Sequence, residues 1–118
     1  MLTAHHTVAF LVIAVCLAAA VAALAAYRWR GRAGRLVAQL LALAQTILVA
    51  QVGLGLLLLT GSHRAADRLH YLYGALALLS ILSPWLYAPS DARRRLLWFG
   101  GATLLAGVLA VRAYTTAT

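Results

Sequence analysis

Four apolar runs, at about residues 4–27, 36–59, 69–87 and 96–114, alternate with short stretches that hold most of the chain's arginines. Each run is close to the roughly 20 residues that a helix needs to cross about 30 Å of hydrocarbon. Backbone groups have no water to bond in lipid, so such runs must satisfy their hydrogen bonds internally, as helices. The connections, 28–35, 60–68 and 88–95, leave no room for a soluble domain and turn each helix antiparallel to the one before it. The pattern predicts an all-α fold: an integral membrane up-down four-helix bundle, one domain over residues 1–118.

Local signals sharpen the ends of these elements. Thr3 and Asp67 suit the caps of the first and third helices, Gly31 and Gly34 interrupt the first connection, and Pro84 and Pro89 mark the end of the third helix. Gly53, Gly55, Gly74, Gly100, Gly101 and Gly107 are expected at helix–helix contacts, where small residues let backbones approach. The alanine-rich stretch from Ala18 to Ala26 permits the same close approach, either within the bundle or to a neighbouring subunit.

Composition agrees with lipid as the solvent. The chain is 64% hydrophobic and 10% charged, with mean hydropathy +0.91, whereas soluble domains carry roughly a quarter charged residues. The net charge of +8 comes entirely from arginine, with Asp67 and Asp91 the only acids. Those arginines are divided among loops that a membrane would separate, so no basic face is left for nucleic acid.

Their distribution predicts orientation instead. Arg28, Arg30, Arg32, Arg35, Arg93, Arg94 and Arg95 lie on one side, and Arg64, Arg68 and Arg112 on the other. The positive-inside rule puts the first group in the cytoplasm of a bacterial inner membrane and both termini outside the cell. Tyr27, Trp29, Trp85, Tyr87 and Trp98 then mark the inner interface, and Tyr71, Tyr73 and Tyr114 the outer one. No arginine precedes the first run and several follow it, the charge order of an uncleaved helix rather than a signal peptide. The single cysteine, Cys16, lies in mid-run and is expected to be a small packing residue.

This topology gathers all four histidines, His5, His6, His63 and His70, at the outer edge. His5 and His6 occupy the first turn of the first helix and His70 that of the third, and both helices run inward. Their imidazoles therefore share one depth, on helices that can face each other diagonally across a bundle with room for a porphyrin between. A histidine near the headgroups is also a common interfacial residue. His63, beside Arg64, reads as solvated. His5 and His6 point about 100° apart, so only one of them faces the interior.

Gln39, Gln45 and Gln51 spread around their helix rather than lining a channel, and Gln51 is suited to bond a neighbouring helix or a cofactor edge. No Asp, Glu or Lys lies within a span, which argues against proton-coupled transport.

The stretch Gln51-Val52-Gly53-Leu54-Gly55-Leu56, running through Thr60-Gly61 to Leu69-His70, resembles half of a haem A synthase. In that family a Gln-x-x-Leu-Gly helix with a Thr-Gly exit precedes a helix whose first turn carries a haem-ligating histidine. The resemblance implies that His70 takes the ligand's place, and His5-His6-Thr7-Val8-Ala9 loosely matches the segment of the partner ligand. The motif favours His5 and depth within the helix favours His6. The family's glutamate before that ligand and its extracellular cysteine pair are missing, as is the second half of its fold. Haem binding is therefore expected without the family's oxidative chemistry.

The leading expectation is a haem-binding membrane protein, not an enzyme. It would hold a b-type haem by His70 and one of His5 and His6, for electron transfer or haem handling. The alternative is a cofactor-free accessory subunit packed among partner subunits in a respiratory or photosynthetic complex. A copper site built from the outer histidines would lack the Cys, Met or carboxylate partners that usually define one.

Overall fold

A computed structural model of the chain describes residues 2–30, 34–60 and 69–116. Among them every element is helical: α1 (Leu2–Trp29), α2 (Gly34–Thr60), α3 (Leu69–Leu82), α4 (Pro84–Tyr87) and α5 (Ala92–Thr116). Three stretches are long and apolar enough to cross a membrane, His5–Trp29, Gly34–Leu57 and Ala92–Thr115, with mean hydropathies of 2.9, 2.0 and 1.7. Large apolar side chains such as Val21, Leu36, Leu79 and Leu86 stand exposed on the outside. Surfaces of that kind in water would form the large apolar patches that soluble monomers avoid.

The core is built from stripes of small and branched residues. Val12, Cys16, Ala19, Ala23 and Ala26 recur at steps of three and four along α1, as do Val37, Leu41, Ala44 and Leu48 along α2, which places each set on one helix face. Ala77 and Ile81 of α3 and Leu96 and Ala106 of α5 complete the cluster. The alanines thus serve contacts inside the chain, and Cys16 is a buried free thiol among them.

α1 packs along both α2 and α5, and α5 along α3, while α2 and α3 touch only slightly. α1 and α5 run antiparallel, because a Cβ at Gly100 would meet Ala23 and one at Gly107 would meet Cys16 and Leu17. α3 antiparallel to α5 follows from Ser80 donating to the Ala102 carbonyl and His70 bonding that of Ala113. α1 and α3 therefore stand diagonally, joined through their neighbours. Not every glycine acts as a contact: a Cβ at Gly53, Gly74 or Gly101 would meet nothing within 4 Å. Gly101 is turned about 100° from Gly100, away from α1.

The third apolar run is not one helix. α3 stops at Leu82, and the chain turns at Ser83 before the short α4. The cause is Pro84, which has no N–H to bond the Ser80 carbonyl. That carbonyl is taken instead by Ser83, whose N–H donates at 3.2 Å and whose hydroxyl donates at 2.7 Å. The break aims Trp85 at α2, where its indole N–H donates to Gln45 Oε1 at 2.9 Å. The other helices extend two to four residues beyond the boundaries read from hydropathy at most of their ends, since polar residues also complete turns. Thr3 falls inside α1 rather than before it. Asp67 lies outside the described residues, and Asp91 caps α5, its Oδ2 accepting the Arg94 N–H at 3.1 Å. Gly34, with φ +71°, makes the turn into α2 that a side chain would oppose.

Candidate functional site

The first turns of α1 and α3 and the last turns of α2 and α5 meet at one end of the molecule, and three of the four histidines converge there. His5 is 9% exposed, while His6 and His70 are half-buried. The His5 and His70 rings lie edge to face, centroids 6.0 Å apart and planes 81° apart. The His6 ring lies 6.3 Å from that of His5, tilted by 41°. The two consecutive residues point in different directions, and His5 is the one that faces α3. His63, expected to be solvated, lies outside the described residues.

The His70 and His5 rings are each held by their surroundings. His70 Nδ1 lies 2.7 Å from the Ala113 carbonyl oxygen. A carbonyl only accepts, so Nδ1 carries the proton and the lone pair of the neutral ring is on Nε2. The flank of His70 packs edge to face on Tyr71 at 5.7 Å. His5 is positioned from α2: the Gln51 side-chain amide donates to the His5 backbone carbonyl at 2.9 Å, fastening the first turn of α1. One turn further along α2, a Cβ on Gly55 would lie 3.3 Å from His5 Cε1, so only hydrogen leaves the ring its ordinary room. His5 Nδ1 and Gln51 Oε1 are buried with no hydrogen-bond partner, and each unsatisfied group of this kind costs about 1–3 kcal/mol.

At the same end of the molecule Phe10 meets Tyr114 at 4.8 Å, their planes tilted by 53°, and Arg112 lies over Tyr73 at 5.5 Å. At the opposite end Arg93 lies over Tyr27 at 4.7 Å and Arg95 over Trp85 and Phe99 at 5.7 and 5.2 Å. The aromatic residues are thus sorted between the two ends as their sequence positions imply.

The donor set can be tested against a haem. Two imidazoles bound on opposite sides of one metal ion through bonds of about 2 Å put their ring centroids about 6 Å apart, and those of His5 and His70 are 6.0 Å apart. A histidine whose Nδ1–H is held by a backbone carbonyl presents Nε2 as the metal-binding atom in a fixed orientation. The two residues match the axial positions of a haem iron in number and in centroid separation, and the tautomer is set for His70 alone; from their edge-to-face arrangement the rings would have to turn for both to point a nitrogen at one iron. Among the described residues no group of three or more His, Cys, Asp or Glu side chains gathers around one point as a free metal ion requires.

Two supports of this site, the Ala113 carbonyl and Gly55, differ in how far the sequence announces them. The Ala113 carbonyl carries no side-chain signal. Gly55 does, since it follows Gln51 by four residues and so shares its face of α2. No protein-family model, curated protein or solved structure matches the chain, so its reading rests on this geometry and on the residues themselves.

Proposed function

We propose that the chain is a four-span membrane protein that binds a haem axially through His5 and His70, near the outer surface, in an electron-transfer or haem-handling role. In this reading α3 and α4 together make the third crossing, since 19 residues from Leu69 to Tyr87 reach about 28 Å at 1.5 Å per residue. Both termini and the histidines lie outside, on the strength of the arginine count.

The observation that carries the reading is the meeting of His5 and His70 on diagonal helices, at 6.0 Å, with the His70 tautomer set by Ala113. A haem bound there would supply a one-electron couple. The residues of the chain orient the two imidazoles: Ala113 aims His70, Gln51 fixes the turn that carries His5, and Gly55 leaves the ring its space. The apolar helices around them exclude water, which raises the influence of each nearby dipole on the site.

The test is the visible spectrum of the protein purified in detergent from haem-replete cells, before and after dithionite. The wild type and His6→Ala are expected to show a Soret band and sharp reduced bands. His70→Ala and His5→Ala should each lose the bis-histidine spectrum while keeping their far-UV circular dichroism. A colourless wild type overturns the proposal, and co-purification of stoichiometric subunits without a chromophore would favour an accessory role instead. Reporter fusions to the C-terminus, compared inside and outside the cell, test the orientation.

A further inference from the structure

Beside the break between α3 and α4, an open groove of about 370 Å³ runs between α3 and α5, lined by Ser80, Ser83, Leu97, Trp98, Gly101 and Leu105. Its walls are apolar in effect, because both serine hydroxyls donate to backbone carbonyls, Ser80 to Ala102 and Ser83 to Ser80. Gly101 keeps the groove open, since a Cβ there would meet nothing within 4 Å.

The α5 residues of the groove recur at steps of three and four, and the same stripe continues one turn back to Arg94. Arg94 is exposed, one turn of α5 before the groove's lining residues Leu97 and Trp98. Its two neighbours are engaged with rings, Arg93 with Tyr27 and Arg95 with Trp85 and Phe99. Asp91, the only acid among the described residues, accepts the backbone N–H of Arg94. Among the described residues no ring or acidic side chain is paired with the Arg94 guanidinium.

We infer that this groove is a binding site for one anionic phospholipid, its phosphate on Arg94 and one acyl chain lying along Trp98 and Gly101. Charge complementarity selects the occupant: Arg28, Arg30, Arg35, Arg93, Arg94 and Arg95 face a single carboxylate at this end. Basic pockets between membrane helices hold acidic headgroups for this reason. The depth of the groove in the apolar part of α5 suits a chain rather than a soluble anion. The inference is independent of the histidine site at the other end.

The test uses Trp98 as the reporter, in a Trp29→Phe/Trp85→Phe background whose circular dichroism matches the wild type. The protein is reconstituted in vesicles containing either phosphatidylglycerol or phosphatidylcholine with brominated chains, and quenching of Trp98 measures occupancy. Phosphatidylglycerol is expected to bind about fivefold more strongly, as one basic side chain near the headgroups allows. Arg94→Gln should bring the ratio close to one and Arg94→Lys should keep most of it, while Gly101→Leu should reduce quenching by both lipids.

Equal quenching by the two lipids in the starting protein overturns the inference. So does an equal loss of selectivity in Arg35→Gln, which would mean surface charge alone. Displacement of phosphatidylglycerol by millimolar inorganic phosphate would make the site one for a free anion. A Gly101→Leu protein that changes its sedimentation but not its lipid selectivity would make the groove an interface with a second copy.

Discussion

Gly53 and Gly55 lie two residues apart on α2, yet replacing each by alanine should have different effects. In a helix interior, Gly→Ala is favourable by up to about 1 kcal/mol, from reduced backbone entropy of the unfolded chain. At Gly53 nothing within 4 Å opposes the added methyl group, so Gly53→Ala should stabilise by about that amount. At Gly55 the methyl carbon would sit 3.3 Å from His5 Cε1, a few tenths of an ångström inside ordinary contact. The ring has little freedom to retreat, because its backbone is fastened to the same helix by Gln51 and its other side meets His70. Turning it off its rotamer costs about 0.5–1.5 kcal/mol.

The two terms nearly cancel, so Gly55→Ala is expected to leave stability within about 0.5 kcal/mol of the wild type, roughly 1 kcal/mol below Gly53→Ala. If the chain binds haem as proposed, the displaced imidazole should still weaken that binding by about fivefold or more, whereas Gly53→Ala should not change it. Unfolding in mixed micelles followed by circular dichroism gives the first quantity, and titration of the apoprotein with haemin the second. Equal stability and equal haem affinity in the two variants would refute the reasoning, because they would mean that the contact between Gly55 and His5 constrains nothing.

Two further outcomes concern the frame. Gly107→Leu should destabilise by about 1–3 kcal/mol, the usual cost of overpacking, since even its Cβ meets Leu17 Cδ2 at 3.1 Å and Cys16 Cβ at 3.3 Å. Gly101→Leu should be tolerated, and unfolding in mixed micelles distinguishes the two. Pro84→Ala should let α3 run on through Ser83 and carry Trp85 away from Gln45. A shift in the Trp85 emission, read with Trp29 and Trp98 replaced by Phe, would report the lost hydrogen bond, and an unchanged spectrum would show that packing rather than the proline sets the break.

The helices and their apolar character are legible in the sequence because lipid leaves the backbone few choices: a run of some 20 apolar residues is either a helix or an unsatisfied chain. The grouping of His5, His6 and His70 at one end follows from the same alternation, as does the sorting of aromatics between the two ends. Small residues at steps of three and four announce that α1 and α5 can approach closely, but not which glycines face a neighbour. Gly100 and Gly101 are adjacent in the chain, and only the rotation of α5 against α1 separates a contact from an open groove.

The sequence also left His5 and His6 as alternatives, and their difference is a matter of helix rotation about its axis. Packing of α1 against α2 and α5 turned His5 inward, and the Gln51 bond to its carbonyl holds that choice. The tautomer of His70 depends on the Ala113 carbonyl, a group that every residue possesses and no sequence pattern distinguishes. Periodicity and hydropathy are properties of one helix at a time, so they determine which elements exist and which residues reach each end. The meeting of two particular rings, or a backbone oxygen within reach of one of them, is a property of how helices distant in sequence are rotated and spaced, and only the tertiary structure decided it.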